Sequence, residues 1–199
     1  MKIALDIGNV LVAVNTQALG ELLKEFGCIK DMEETVSWVE CLGGLVNLGV
    51  CGFYDALRTH LVVGEVEAGR LTQAWHEMVE MPPEIRQVLE DASQIHKMIL
   101  ASNIGPEHAS VVRGDSLFNS FPQFFSYEVG AAKPSRLFFH QLRAEHPGFR
   151  GATFIDDREE NLAAAAGAGM KTIQFRLDEH PTYAKAAEVL GGFLGIPKR

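Results

Sequence analysis

The chain has 199 residues, of which 47% are hydrophobic and 22% charged, and its formal net charge at pH 7 is −8. This length allows one full hydrophobic core, or a core with a smaller inserted unit, and the composition is that of a globular protein. Because phosphate backbones and anionic lipid surfaces both repel acidic domains, the charge argues against a nucleic-acid or membrane partner.

The cysteines and the N-terminal segment indicate a cytoplasmic protein. Cys28, Cys41 and Cys51 are odd in number and form no close Cys-x-x-Cys pair, so we expect neither a disulfide framework nor a zinc site. No apolar run approaches the roughly 20 residues of a membrane span. Asp6 and Asn9 also interrupt the segment that would form the apolar part of a signal peptide.

The first predicted strand ends at a carboxylate. Ile3–Leu5 is a short apolar run, Asp6 follows it directly, and the turn pair Gly8–Asn9 comes next. A short apolar run bounded by turn residues is typical of a strand that is buried on both faces. Asp6 is then a nucleophile, a metal ligand or the cap of an Asx-type turn, and this stretch alone leaves all three open.

Residues 15–82 are predicted to form a helical block. Amphipathic patterns begin near Thr16 and recur up to the pair Pro82–Pro83, and no strand alternation of any length occurs among them. Because this block falls between the first strand and all later strands, it is predicted to be an insertion. Residues 1–14 and 83–199 would then form the main domain.

Short apolar strands alternate with helices after Pro83. The predicted strands are Lys97–Ala101, Phe124–Tyr127, Ala152–Ile155 and Lys171–Phe175. Strands that alternate with helices of this length predict an α/β fold with a doubly wound, Rossmann-like parallel sheet.

Polar residues follow four of these strands, at Asp6, Ser102–Asn103, Lys133 and Asp156–Asp157. In a doubly wound sheet these positions lie on the same carboxyl edge. Three carboxylates brought together there would repel one another by roughly 4 kcal/mol per pair at a surface-like dielectric. A hard divalent cation relieves that repulsion, and a ligand set made only of oxygens favours Mg²⁺ over zinc.

The remaining polar groups at this edge point to phosphoryl transfer. Ser102 and Lys133 would hold a dianionic group against the metal. One carboxylate could then attack phosphorus while the metal and the lysine neutralise charge.

Four segments resemble, in order, the motifs of the haloacid dehalogenase-like hydrolase superfamily. They are Ala4–Leu11, Ile99–Asn103, Lys133–Pro134 and Phe154–Asn161. The resemblance is to the branch with a helical cap inserted after the first motif, which implies an α/β core of 1–14 and 83–199 and a C1-type cap of 15–82. The first motif is also similar to a sugar-1-phosphatase-like subgroup that reads Asp-x-Gly-Asn-Val.

The resemblance implies a role for each residue of the first three motifs. Asp6 would be the nucleophile that forms an aspartyl-phosphate, and it would also bind Mg²⁺. The Gly8 carbonyl would be a further metal ligand. Ser102 and the Asn103 amide would bind the phosphoryl oxygens, and Lys133 would neutralise both those oxygens and Asp6.

The fourth motif would complete the metal site. Asp157 would bind the metal directly, and Asp156 would act through a water molecule. Asn161 would orient this pair or a metal-bound water. Together the motifs imply a Mg²⁺-dependent phosphatase of a small phosphorylated metabolite, with a sugar phosphate as the expected class.

One departure from the family pattern concerns Gly8. Phosphatases of this family usually carry a second aspartate two residues after the nucleophile, and it protonates the leaving group and later activates water. Loss of a general acid typically costs about 10²–10⁴-fold in rate. We therefore expect slow hydrolysis, or hydrolysis limited to esters with good leaving groups.

Three alternative functions remain open. A 2-haloacid dehalogenase uses the same nucleophile without an acid at position 8, but it needs no metal, which Asp156–Asp157 argue against. Sugar-kinase and actin-like ATPases can also read Asp-Ile-Gly-Asn, but they need a second glycine-rich phosphate strand. The third alternative is a catalytically silent relative that serves as a binding or regulatory module.

Overall fold

The computed structural model describes residues 1–31, 33–61 and 63–197. The described strands are β1 (Lys2–Leu5), β2 (Ala13–Val14), β3 (Val79–Glu80), β4 (Lys97–Ser102), β5 (Gln123–Phe125), β6 (Thr153–Asp156) and β7 (Lys171–Gln174). The described helices are α1 (Gln17–Glu25), α2 (Glu34–Asn47), α3 (Phe53–His60), α4 (Glu65–Glu77), α5 (Pro83–Ser93), α6 (Pro106–Gly114), α7 (Ser126–Val129), α8 (Arg136–Glu145), α9 (Glu159–Gly167) and α10 (Tyr183–Phe193).

Five parallel strands form the main sheet in the order β5-β4-β1-β6-β7. The first strand of the chain lies at the centre, and Leu5 pairs with Leu100 of β4 on one side and with Ile155 of β6 on the other. The chain therefore builds the sheet outward in both directions from β1. This arrangement confirms the predicted doubly wound parallel sheet with a helical insertion.

Apolar side chains cover both faces of the sheet. Ile3 and Leu5 belong to one buried cluster, together with side chains of α5, α6 and α10. Ala4 belongs to a second cluster with side chains of α8 and α9. Successive residues of a strand point to opposite faces, so a continuous apolar run such as β1 is what a two-sided core requires.

Helices α1–α4 pack around a third apolar cluster, which includes Leu19, Leu23, Phe53, Leu71 and Trp75. The insertion thus has apolar packing of its own. The division into a core of 1–14 and 83–199 and a cap of 15–82 stays a prediction. No described helix combines the length and the apolar character that crossing a membrane requires.

Two local predictions were wrong. The block between residues 15 and 82 is not entirely helical, because Val79 and Glu80 pair antiparallel with Val14 and Ala13. Residues 126–127 are not a strand either, because α7 begins at Ser126. The Ser126 hydroxyl accepts from the Ile104 N–H at 3.0 Å. This side-chain hydrogen bond lies directly after the last pair of the β4–β5 ladder, Ser102 and Phe125.

The insertion meets the sheet domain at closely packed backbone positions. Gly49, just after α2, has a φ of +69°, and a Cβ there would lie 2.5 Å from the carbonyl oxygen of Tyr127. The Glu107 carboxylate of α6 accepts from the Phe53 N–H at 2.6 Å, which satisfies a free donor at the start of α3. Both contacts join the helical insertion to the part of the chain that carries the sheet.

We predict that Gly49→Ala lowers the free energy of unfolding by about 2 kcal/mol, because an alanine there is strained by its positive φ and by the Tyr127 carbonyl. Urea denaturation measures the change. Gly69→Ala is the matched control, since Gly69 lies within α4 with open space around it and should gain up to about 1 kcal/mol in helix propensity. An unchanged Gly49→Ala protein would contradict the packing of α2 on Tyr127.

Candidate active site

The predicted site residues converge at the carboxyl edge of the sheet. Asp6 follows β1, Ser102 ends β4, and Asp156 ends β6. Since β1 is hydrogen-bonded to both β4 and β6, these three positions are neighbours. This edge, at the point where the strand order reverses, is where open α/β sheets bind ligands.

The two carboxylate oxygens of Asp6 have different environments. Oδ1 accepts from the Ile7 N–H at 2.8 Å and from the Ser102 hydroxyl at 2.6 Å, and it lies 2.8 Å from the Lys133 ammonium nitrogen. Among the described residues, no group bonds to Oδ2. One oxygen therefore fixes the side chain, and the other is free to bind a cation or to attack an electrophile.

Lys133 is the buried cation of the site. Its side chain is 0% exposed and its nitrogen lies 2.7 Å from Asp156 Oδ2 as well as 2.8 Å from Asp6 Oδ1. Burial alone would lower the pKa of Lys133, but the two carboxylates outweigh burial and raise the pKa above its usual value. Lys133 is therefore held in the charged form.

Asn103 holds the Lys133 backbone in place through two hydrogen bonds. The Asn103 amide donates to the Lys133 carbonyl, and the Asn103 side-chain oxygen accepts from the Lys133 N–H, each at 2.8 Å. The side-chain amide of Asn103 is thus committed to positioning Lys133. A phosphoryl contact from Asn103 could involve its backbone N–H or the second N–H of its side-chain amide.

Asp6, Asp156 and Asp157 form an acidic cluster in which one oxygen of each lies within 4.8 Å of the others. Burial, opposed by Lys133 and reinforced by Asp156, raises the pKa of Asp6 to about 6. Burial and the neighbouring Asp156 charge also raise the pKa of Asp157. One lysine leaves two of three negative charges unbalanced, so the donor set fits a divalent, oxygen-preferring cation such as Mg²⁺.

Asp156 has both carboxylate oxygens occupied by donors. Oδ2 faces the Lys133 nitrogen, while Oδ1 accepts from the Asn161 amide at 2.8 Å and from the Arg158 N–H at 2.9 Å. Asn161 therefore orients Asp156, at the place where the resemblance assigned it an orienting role. The same contacts leave Asp157 as the less engaged carboxylate of the pair.

Asn9 contacts the acidic cluster, although the sequence analysis gave it no role in the site. It has a φ of +55°, a conformation that asparagine tolerates better than most residues. Its amide donates to Asp157 Oδ2 at 3.3 Å and to Asp178 Oδ1 at 3.1 Å, and its side-chain oxygen accepts from the Asp178 N–H. Asn9 thereby positions Asp157 from the opposite end of the sequence.

Gly8 lies in the loop after Asp6, and no steric constraint requires a glycine there. A Cβ at this position would meet only Val14 Cγ2, at an ordinary contact distance of 3.9 Å, and the φ of Gly8 is not positive. The backbone at position 8 therefore accepts a Cβ, as the aspartate of the family pattern would require.

A cavity of about 610 Å³ opens beside this edge, between the sheet domain and α2. Four of the predicted site residues line it, namely Gly8, Ser102, Asn103 and Lys133. Trp75 and His108 also line it, and the sequence analysis assigned neither of them a role in the site. Their location in the cavity depends on how α4 packs on α6, which helical periodicity does not report.

Comparisons of the sequence identify no relative, since no protein-family model and no curated protein matches the chain. The fold does match solved structures. A HAD family enzyme from Bacteroides thetaiotaomicron, solved with magnesium and inorganic phosphate, has a TM-score of 0.75 at 21% identity, with 92% of this chain and 97% of that chain covered.

Two further solved structures extend this comparison. A predicted HAD-like family hydrolase from Porphyromonas gingivalis has a TM-score of 0.75 at 19% identity, covering 95% of this chain and 97% of that one. An L-2-haloacid dehalogenase has a TM-score of 0.64 at 15% identity, with 91% and 88% covered. The chain therefore has the fold of the haloacid dehalogenase-like hydrolases.

We predict that Lys133→Met lowers the free energy of unfolding by about 3–5 kcal/mol at pH 8, because two buried carboxylates lose their only buried counter-charge among the described residues. Chemical denaturation measures the loss, and added MgCl₂ should recover part of it. Lys185→Met is the control, since the Lys185–Glu188 ion pair is exposed and should contribute less than about 1 kcal/mol. Equal effects of the two substitutions would contradict the central role of Lys133.

Proposed function

We propose that this protein is a Mg²⁺-dependent phosphatase that acts on a small phosphorylated metabolite through an aspartyl-phosphate on Asp6. The free Oδ2 of Asp6 carries the proposal, because its partner oxygen is held by three donors while Oδ2 accepts no hydrogen bond from a described group. The shared fold with a bacterial enzyme solved with magnesium and inorganic phosphate supports it.

The residues around Asp6 would divide the work of the first step. The Ile7 N–H and the Ser102 hydroxyl hold the carboxylate in one orientation, so Oδ2 needs no reorganisation before it attacks phosphorus. Lys133 places a permanent positive charge beside the attacking group and would stabilise the charge of the phosphoryl oxygens. Asn103 and the Ser102 hydroxyl are the proposed phosphoryl donors. Because the hydroxyl has one proton, it would turn from Asp6 Oδ1 to a phosphoryl oxygen when the phosphate binds.

The proposed metal ligands are Asp6, Asp157 and the Gly8 carbonyl. Asp156 would act through a water molecule, which agrees with the donors already bound to both of its oxygens. When bound, Mg²⁺ would supply charge neutralisation for the phosphoryl group and for the carboxylates. Asn9 and Asn161 would keep Asp157 and Asp156 in place.

The proposed setting of the activity follows from the sequence. Residues 15–82 would act as a cap over the cavity, and residues 1–14 and 83–199 would carry the chemistry. The protein would act in the cytoplasm, as its cysteine usage predicts. The pocket next to Asp6 would then determine which metabolite is taken.

We predict that the protein releases phosphate from p-nitrophenyl phosphate only with Mg²⁺, and that Asp6→Asn lowers kcat at least 10³-fold. An amide at position 6 keeps the size of the side chain but is a far weaker nucleophile. Asp55→Asn, at an exposed position of α3, is the matched control and should keep wild-type activity. Turnover that persists in EDTA or in Asp6→Asn would refute the mechanism.

A 2-haloacid dehalogenase is the second candidate, because Gly8 supplies no acid and one structural neighbour is an L-2-haloacid dehalogenase. The acidic cluster argues against a dehalogenase. Its three carboxylates fit a bound cation, whereas dehalogenation of 2-haloacids needs no metal. Metal-independent chloride release from 2-chloropropionate would establish the dehalogenase. Tight Mg²⁺ binding without turnover of any phosphate or haloacid would instead favour a silent binding module.

We predict that Gly8→Asp raises kcat/KM at least tenfold for alkyl phosphates, whose leaving oxygen needs a proton, and much less for p-nitrophenyl phosphate. General acid catalysis typically contributes about 10²–10⁴-fold, and a Cβ at position 8 meets only Val14. Gly8→Asn matches the size without a titratable proton and serves as the control. An equal gain in both variants would show that the effect is structural.

A further inference from the structure

The cavity next to Asp6 has mostly apolar walls. Its volume of about 610 Å³ lies within the range of small-molecule sites. Apolar side chains from the β2–β3 pair, from the residues that flank it and from the sheet domain line the cavity, among them Val12, Val14, Met78, Val79, Met81 and Phe118. The group attached to the phosphate would therefore meet hydrocarbon over most of its surface.

Most polar side chains at the cavity already have partners. Ser102, Asn103 and Lys133 belong to the phosphoryl end described above. The Asp115 carboxylate pairs with Arg86 and accepts from the Leu117 N–H.

Two further charged residues line the cavity, Glu40 of α2 and Arg158. Their side chains are 63% and 57% exposed and lie 4.0 Å apart, so they remain in contact with solvent. Among the described lining residues, this leaves Asn47, His108 and the Trp75 Nε1–H, which has no hydrogen-bond partner, as the polar side-chain groups away from this exposed pair.

His108 offers one acceptor to the cavity. Its Nε2 lies 2.5 Å from the Trp75 carbonyl, which can only accept, so Nε2 carries the proton and Nδ1 keeps its lone pair in the neutral ring. Burial lowers the pKa of His108 and favours this neutral form. The ring also stacks on Trp75 at 4.7 Å, and Trp75 in turn stacks on Phe53 at 4.1 Å, so this wall of the cavity is aromatic.

This inventory is unsuited to a sugar. A hexose carries several hydroxyl groups, and each one buried without a partner costs about 1–3 kcal/mol. Asn47, His108 and the single Trp75 N–H cannot satisfy them all. A planar apolar group needs at most one or two polar partners and gains from contact with hydrocarbon and aromatic walls.

The absence of an acid at position 8 also favours an aryl phosphate over a sugar phosphate. Without a proton donor, the leaving oxygen must depart as an anion, which is far easier for an acidic hydroxyl such as a phenol, with a pKa of about 10, than for a sugar hydroxyl. The cavity walls and Gly8 are independent observations, and both favour an aryl leaving group over a sugar.

We propose that the substrate is an aryl phosphate, a phosphate monoester of an acidic hydroxyl on an apolar, ring-sized group. The inference rests on the phosphatase activity proposed above. Asp6 Oδ2 forms a bond to phosphorus while the bond from phosphorus to the aryl oxygen breaks, and its electron pair leaves with the aryloxide. Water then adds to phosphorus, the Asp6 oxygen is released, and the proton that water gives up balances the one that the aryloxide takes from solvent.

The substrate test compares kcat/KM for 1-naphthyl phosphate, phenyl phosphate and glucose 6-phosphate, because kcat/KM reports the step in which the leaving group departs. We expect 1-naphthyl phosphate to exceed phenyl phosphate at least fivefold, since their leaving groups are of similar acidity and differ mainly in apolar surface. Glucose 6-phosphate should be at least 10³-fold poorer than 1-naphthyl phosphate. A sugar phosphate that matches or exceeds the aryl phosphates would overturn the inference while leaving the phosphatase proposal intact.

A binding test is independent of turnover. Calorimetry compares 1-naphthylmethylphosphonate with methylphosphonate, two stable analogues that share the phosphonate group and differ in the apolar ring. We expect at least tenfold tighter binding of the naphthyl compound, and equal affinities would overturn the inference. If no phosphate ester is hydrolysed but the naphthyl preference holds, the phosphatase proposal fails and the assignment of the cavity to aryl anions survives.

A variant pair locates the effect in the cavity. Gly44 lines the cavity, and a Cβ there has open space around it, so Gly44→Leu adds side-chain volume at the cavity with no clash at Cβ. We expect it to reduce the ratio of naphthylmethylphosphonate to methylphosphonate affinity at least fivefold. Gly69→Leu, the same change in an exposed part of α4, should leave the ratio unchanged. If the two variants show the same affinity ratio, the naphthyl group binds outside the cavity, and the assignment of the cavity to the aryl group is refuted.

Discussion

The buried ammonium group of Lys133 is the constraint on which the rest of the site depends. A charge removed from water is stable in a protein only when opposite charges and hydrogen bonds compensate its lost hydration. Asp6 and Asp156 provide this compensation from the ends of two neighbouring strands, at 2.8 and 2.7 Å. The lysine therefore requires the first strand, the fourth motif and its own loop to stay in one arrangement.

The order of the strands makes this arrangement possible. With β1 at the centre of the sheet, Asp6 has β4 on one side and β6 on the other, so groups from distant parts of the chain reach it at once. The three donors on Asp6 Oδ1 then separate its two oxygens into a fixed one and a free one. This asymmetry makes Asp6 a better candidate for the nucleophile than Asp156, whose oxygens are both engaged.

The site joins two chemically different halves. One half is a cluster of charges at the sheet edge, suited to a phosphoryl group and a cation. The other half is a cavity with hydrocarbon and aromatic walls, suited to a group with few polar atoms. Gly8 lines the cavity at the position where the family pattern has an acid. In the proposed reaction, the apolar half and the missing proton donor would together restrict the leaving group.

The sheet and the convergence of its polar strand ends could be predicted from the sequence. Apolar runs that end in polar residues identify the carboxyl ends of parallel strands, and those ends must share an edge, so Asp6, Ser102 and Asp156 could be brought together without coordinates. Very short strand pairs could not be predicted from the sequence. The β2–β3 pair is two residues long on each side, too short for any alternation to be recognised.

The contacts of the individual site atoms could be read only from the folded chain. Asn9 reaches Asp178, which is 169 positions away, and the Asn103 amide is committed to the Lys133 backbone, and neither contact has a local pattern. The cavity walls come from helices whose apolar faces are alike in sequence, whether they pack in a core or line a pocket. Periodicity reports which face of a helix is buried, but the packing of one helix on another decides what lies against it.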